Sequence, residues 1–308
     1  MTVPAPEATP ILLFGASTPS GAALRNLATG RDLRVLGRRC PPDLPAQQFL
    51  PVDLTSPPSA DLPLGGVIVS FAPLWHLAPF LAGRLEALQQ GTGGATELPK
   101  AVVACSSSSV LTKRFAANAE DQALVRRLRQ AESTLEAACQ ALAIPCRIIR
   151  PTLIYGEAGG YQDRNLSVLL KLMARLPLLP LPSRTGLRQP IHARQLAAVS
   201  LLLADQPERW ADGSLTLGGD ETLTYAAMLS RLRAEAVARD PRDRAGRCRL
   251  LPVPAALFHL LAAPLLPWKP KLFEAVLRIE ADLAGFTAAH HLLETPAEPF
   301  PVHPLARG

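Results

Sequence analysis

The chain has no CxxC pair and no dense run of cysteines; its five, Cys40, Cys105, Cys139, Cys146 and Cys248, are spread through 308 residues. That spacing excludes a disulfide-stapled secreted scaffold and predicts a reduced, cytoplasmic setting. The opening MTVPAPEATP lacks a basic start followed by an apolar core, and the ILLFGAS after it is far too short to cross a bilayer. Lysine is scarce too: Lys100, Lys113, Lys171, Lys269 and Lys271 are the only ones, so the net charge of +6 rests mainly on arginine. The basic residues are scattered and form no stripe, which argues against a nucleic-acid partner. Guanidinium groups suit a phosphorylated small molecule instead, although an Arg-, Pro- and Ala-rich composition has the same look without any ligand.

What is present is an α/β pattern. Residues 10 to 15 (PILLFG) form an apolar run closed by glycine, and Ala22, Ala23, Leu24, Leu27 and Ala28 follow at helical spacing. This reads as strand, tight turn, helix. Further buried strands are expected at Leu33–Leu36, Phe49–Val52, Val67–Phe71, Ala101–Cys105 and Cys146–Ile149, with helical stretches between several of them. Such crossovers build a parallel sheet. The length suits a large domain with a smaller lobe: residues 1–150 as a doubly wound Rossmann domain, and 151–308 as a substrate lobe that partly returns to the Rossmann sheet. In the tail, helices are expected near Ala193–Leu203, Tyr225–Ala238 and Pro270–Ala284, and a strand near Ser214–Gly218. The loop Gly91–Pro99 reads as a surface connector.

Between the first strand and helix stands Gly15-Ala16-Ser17-Thr18-Pro19-Ser20-Gly21. Its terminal glycines permit a tight turn and a close approach of backbone to a pyrophosphate, whose charge is met by free N–H groups at the helix start. Ser17, Thr18 and Ser20 could add hydroxyl donors, though a turn without ligand has the same residues. The second strand ends Gly37-Arg38-Arg39, where an NAD site would carry a carboxylate for the ribose 2′-hydroxyl. Arginines there pair with a 2′-phosphate, so the expected cofactor is NADP(H).

The loop and the segments after it resemble the extended short-chain dehydrogenases/reductases, the NAD-dependent epimerase/dehydratase-like family. Thr18 stands where the family's GxxGxxG has its middle glycine. Asp53-Leu54 matches the family's Asp-Leu at the adenine ring, and Ser70 to Pro73, with Ala72 and Pro73, matches the segment against the adenosine ribose. Arg150 to Gly156 matches RPxxxYG, which implies a cofactor contact at Pro151 and a substrate contact at Tyr155; Gln189-Pro-Ile-His192 matches a later segment. The resemblance implies a Rossmann fold and hydride chemistry on a nucleotide sugar or related phosphorylated metabolite.

One part of the family pattern is missing. Its Tyr and Lys four residues apart occur nowhere: Tyr155, Tyr161 and Tyr225 are followed at that spacing by Gly159, Asn165 and Leu229. Counting back from Arg150 puts the family's glutamate at Glu132, its lysine at Leu128 and its tyrosine at Leu124. The family's catalytic Ser/Thr has a counterpart in Ser107, within the run Ser106 to Ser109, and Lys113 is the lysine placed to supply the missing ammonium. Both have plainer readings, as a strand-end hydrogen-bonder and a solvated lysine.

The resemblance also implies substrate contacts at Arg164 and Asn165, beside Asp163, and at Arg188, Gln189 and His192, after which Arg194-Gln195 replaces the family's acidic pair. Residues 250–272 are strongly apolar, broken by prolines and closed by Trp268, Lys269 and Lys271. They either cover the substrate lobe or lie in a membrane interface as a peripheral contact. A homodimer is left open, and no residue pattern suggests a metal. Two functions follow: an NADP(H)-dependent oxidoreductase or epimerase with Ser107 and Lys113 in the catalytic positions, or an NADP(H)-binding regulatory or scaffold protein without turnover.

Overall fold

The computed structural model describes residues 9–59, 61–92, 97–210, 213–264 and 270–302. Strand β1 (Ile11–Phe14) is buried along its whole length, as its unbroken apolar sequence requires of a central parallel strand. Helix α1 (Pro19–Leu27) starts where it does because the Thr18 hydroxyl accepts from Gly21 N and Pro19 fills the first helical position. Then come β2 (Leu33–Gly37), β3 (Phe49–Pro51), β4 (Gly66–Ser70), α2 (Leu74–Gln89) and β5 (Pro99–Cys105). The short α3 (Ser109–Thr112), the long α4 (Ala119–Gln140) and β6 (Cys146–Pro151) complete this half.

The second half is built of shorter pieces. They are β7 (Ile154–Tyr155), β8 (Glu157–Ala158), β9 (Tyr161–Gln162), α5 (Leu166–Arg175), β10 (Leu178–Pro182), β11 (Leu187–Arg188), β12 (Ile191–His192) and α6 (Ala193–Asp205). There follow β13 (Gly213–Gly218), β14 (Leu223–Thr224), α7 (Tyr225–Arg239), β15 (Arg249–Val253), α8 (Ala255–Ala262), α9 (Pro270–Leu277), β16 (Thr287–Ala288) and α10 (Ala289–Leu293).

Eight strands form one parallel sheet in the order β16-β13-β6-β5-β4-β1-β2-β3, so β13 and β16 carry the second half back into the main sheet. The chain runs outward one way through β2 and β3 and, from β4, the other way. The crevice at the carboxyl ends of β1 and β4 is therefore the topological switch point, where α/β sheets bind ligands. One core layer joins the sheet to α1 and α6, a second joins it to α2 and α4, and a third fills the lobe around Met173, Met228 and Leu229. Leu24 of α1 is fully buried in the first layer, a burial worth roughly 1.5–3 kcal/mol.

The helix expected over Pro270–Ala284 stops at Leu277. Its continuation is taken up by tight turns whose carbonyls are claimed from outside. Arg188 donates to the carbonyls of Arg278 and Ala281, and Gly186 N donates to that of Ile279. Residues 93–96 of the expected surface connector, and Trp268 and Lys269 of the apolar segment, lie outside the described residues. Among the described residues no helix is long and apolar enough to cross a membrane.

Candidate cofactor and substrate site

A cleft of about 1160 Å³ opens at the switch point. One wall is the β1–α1 loop, with Gly15, Ser17, Thr18, Pro19 and Ser20. Gly15 has φ +77°, and a Cβ there would stand 2.5 Å from Ala72 N, so only glycine fits. A Cβ on Gly21 would overlap the Gly15 carbonyl oxygen, so this second glycine, which is not itself in the cleft wall, lets α1 close onto the loop. Thr18 Oγ1 donates to Gly15 O at 2.8 Å and accepts from Gly21 N at 3.0 Å. Its hydroxyl proton is thus spent inside the loop, holding as a hydrogen-bonded cap what a glycine would leave loose. Pro19 has no N–H, Gly21 N is met by Thr18 Oγ1 and Ala22 N by Thr18 O, which leaves the Ser20 N–H of the first turn of α1 to meet an anion.

The cleft wall also carries Arg38 and Arg39, both exposed and without a salt bridge among the described residues, with Asp53 and Leu54, while Ala72 and Pro73 line it beside Gly15. Asp53 Oδ1 accepts from Thr55 N at 2.9 Å and Thr55 Oγ1 at 2.7 Å. Those bonds, with the fields of Arg38 and His76, hold its carboxyl below the usual range. Arg164 and Asn165 close the far side, next to Asp163. Asp163 Oδ1 accepts from the backbone of Asn165 (2.8 Å) and Leu166 (2.6 Å), and so starts α5; the Asn165 amide donates to Ile154 O at 3.0 Å. Arg164 is exposed in the cleft wall and makes no salt bridge among the described residues.

Solved structures share this architecture. MoeE5 in complex with UDP-glucose and NAD superposes with a TM-score of 0.57 at 17% identity, over 94% of this chain and 94% of that one. A nucleoside-diphosphate-sugar epimerase from Staphylococcus aureus gives 0.57 at 14%, over 94% and 97%. UDP-N-acetylglucosamine 4-epimerase from Bacillus cereus gives 0.57 at 12%, over 80% and 85%. The chain shares the doubly wound Rossmann-type fold of these structures. No family model and no curated protein matches its sequence.

Leu124 and Leu128, which the resemblance puts at the family's Tyr and Lys positions, both lie on α4, and Leu128 is buried. Glu132, one turn on, is buried and grips Arg150 through both oxygens, at 2.9 and 2.6 Å, while accepting from the Ser106 hydroxyl. That grip ties α4 to the ends of β5 and β6. Ser107 lies two residues beyond the cleft-wall residue Cys105, and its hydroxyl is 3.0 Å from that of Ser109. Burial raises the Cys105 thiol to about 12, so it stays protonated. Lys113 is turned away onto Asp121, at 2.8 Å.

Besides Gly21, five residues expected at the cofactor or substrate stand outside the cleft wall. Pro151 and Tyr155 are buried; the Tyr155 hydroxyl accepts from Val302 N at 2.8 Å. Burial, above all, raises that phenol's pKa. The Arg188 guanidinium is spent on the carbonyls of Leu187, Arg278 and Ala281, and stacks 5.1 Å from the Tyr225 ring. Gln189 donates to Gly219 O and Phe286 O and accepts from Phe286 N. His192 caps α6, its Nδ1 accepting from Arg194 N at 3.1 Å while Gln195 Oε1 accepts from His192 N. Burial, then the Arg194 and Arg239 charges, push its pKa down to about 4.

Sequence reasoning passed over His76, Cys105, Tyr161 and Gln162, all of which line the cleft. His76 sits in the first turn of α2, three residues after Pro73, and that position was its only signal. The Tyr161–Gln162 hairpin strand carries no motif. It reaches the cleft because Gly159 and Gly160, at φ +55° and +77°, turn the chain back toward α1.

Proposed function

We propose that the cleft binds NADP(H) and that the protein is an oxidoreductase or epimerase acting on a nucleotide sugar or a related phosphorylated metabolite. The observation that carries the cofactor reading is the pair Arg38 and Arg39, exposed at the end of β2 in the wall that also holds the Gly15–Ser20 loop, with no carboxylate ending that strand. The α1 N-terminus would take the pyrophosphate, the two arginines the 2′-phosphate, Asp53 the adenine, and Ala72 and Pro73 the ribose. The substrate class is supported by the nucleotide sugars named for the structural neighbours and by Arg164, which presents a guanidinium for a diphosphate.

When bound, the nicotinamide supplies a site for hydride transfer. The chain's own contribution is to orient and to move a proton: Ser107 would hold the substrate oxygen, and Lys113, freed from Asp121, or water would move the proton. The second reading, an NADP(H)-binding protein without turnover, is favoured by one specific arrangement. Leucines fill the Tyr and Lys positions while Lys113 is held by a buried carboxylate.

Calorimetric titration with NADPH and NADH, followed by a screen of nucleotide sugars and carbonyl compounds for NADPH oxidation, separates the readings. Tight NADPH binding with turnover supports the enzyme. Tight binding with no turnover supports the regulatory protein, and no preference for NADPH overturns the cofactor assignment.

A further inference from the structure

The lobe exposes apolar side chains on α5, β10, β15 and α8, with basic residues among them. On α5 the exposed positions include Val168, Lys171, Leu172 and Arg175, one stripe at helical spacing, and Leu176 just after the helix is exposed too. The chain passes from Leu176 straight into β10, which pairs in parallel with β15 so that Leu178 stands beside Arg249 and Pro180 beside Leu251. Leu178 and Leu251 are exposed on this outer side, while Leu179, Leu181 and Leu250 on the other pack into the lobe core. Helix α8, packed against β10, buries Phe258 and Ala262 and leaves Leu257, Leu260 and Leu261 to solvent, the last two 69% and 57% exposed.

Soluble surfaces scatter their exposed leucines; here they gather on neighbouring elements. The charge is as uneven. Neither 164–204 nor 244–273 contains an Asp or a Glu, although both hold several arginines and lysines. Lys171, Arg175 and Arg249 are exposed among the leucines. Glu280, which meets α8, is hydrogen-bonded to His259.

We propose that this face, α5, the outer side of β10 and β15, and α8, seats the protein on an anionic lipid surface. Leucines that enter the acyl boundary gain burial, and basic side chains beside them meet the headgroup phosphates with their stems along the apolar layer. A protein partner would need a matching apolar and acidic surface, whereas an anionic bilayer offers both at any orientation. Because Arg164 and Asn165, at the start of α5, line the cleft, docking would bring the cleft rim toward the headgroups. This docking does not depend on the cofactor reading.

The test is co-sedimentation of the full chain with vesicles of phosphatidylcholine alone and of phosphatidylcholine mixed with phosphatidylglycerol. The protein is expected to pellet with the mixed vesicles at low salt and to be released at high salt. Leu260→Asp/Leu261→Asp, and separately Leu172→Glu/Leu176→Glu, are expected to lower partitioning about tenfold or more. Circular dichroism and thermal unfolding report that both variants stay folded, as the exposure of these leucines implies. A chain that stays in the supernatant with every vesicle, or variants that bind like the parent, overturns the proposal. So does sedimentation velocity showing a dimer that these substitutions dissolve without vesicle binding, which would give the face to a second copy.

Discussion

Lys113 Nζ lies 2.8 Å from Oδ1 of the buried Asp121, whose Oδ2 lies 2.9 Å from Arg278 Nη1. One carboxylate thus joins the loop after α3, the start of α4 and the turn after α9. Burial works to raise the Asp121 pKa, but hydrogen bonds from Lys113 and Asn118 and the charges of Lys113 and Arg278 outweigh it, and the net shift is downward.

A carboxyl with a folded pKa below its unfolded value, near 3.9, adds stability above that pH and loses it as pH falls through the folded value. Urea midpoints should therefore drop more steeply below about pH 4 in the parent than in Asp121→Asn. At neutral pH, Asp121→Asn leaves two cations facing a neutral amide and should cost about 3–5 kcal/mol. A midpoint unchanged by the substitution would show that the cluster holds nothing.

The same pair decides how Lys113 is tested. If it moves the proton, Lys113→Met lowers turnover about 10²–10⁴-fold with cofactor affinity little changed. Lys113→Arg keeps the cation for Asp121, so it should restore stability but not turnover. Ser107→Ala should reduce turnover in the same direction. Activity that survives all three removes both residues from the reaction.

Arg38→Ala/Arg39→Ala should cost about 1–3 kcal/mol in NADPH binding and leave NADH binding nearly unchanged. Titration calorimetry with both cofactors reads this directly. Equal losses for the two would place the arginines elsewhere than at the 2′-phosphate.

Gly21→Val should abolish NADPH binding, since its branched side chain would force α1 away from the Gly15 carbonyl. Thr18→Ala removes the cap on α1 and should cost about 1 kcal/mol of stability. NADPH affinity measured on both variants, with denaturant melts beside it, separates loop geometry from folding.

His192, with its pKa held at about 4, is neutral in the folded protein but charges below its ordinary 6.5 when unfolded. Stability should therefore fall as pH drops from 6.5 toward 4, by up to about 3 kcal/mol. His192→Asn keeps a capping side chain on α6 and should flatten that slope. A parent whose denaturant midpoint is level across this window would contradict the shift.

Much of this molecule was legible in local patterns. The apolar run at Ile11–Phe14, the glycines of the β1–α1 loop and the arginines after β2 carry their meaning within a few residues, because a strand's burial, a turn's φ and a helix start are local matters. They suffice to derive a parallel doubly wound sheet, and the structure brings loop, arginines, Asp53 and Ala72 to one cleft.

Sequence alone determined the Rossmann sheet and the absence of a Tyr/Lys pair, because periodicity and residue identity are enough for both. Only the tertiary structure decided what Arg188, Gln189 and Lys113 do. Arg188 meets carbonyls 90 and 93 residues further on, Gln189 meets Phe286, and Lys113 shares Asp121 with Arg278. A polar side chain advertises its donors in the sequence, but which acceptor claims them depends on where the fold brings the rest of the chain.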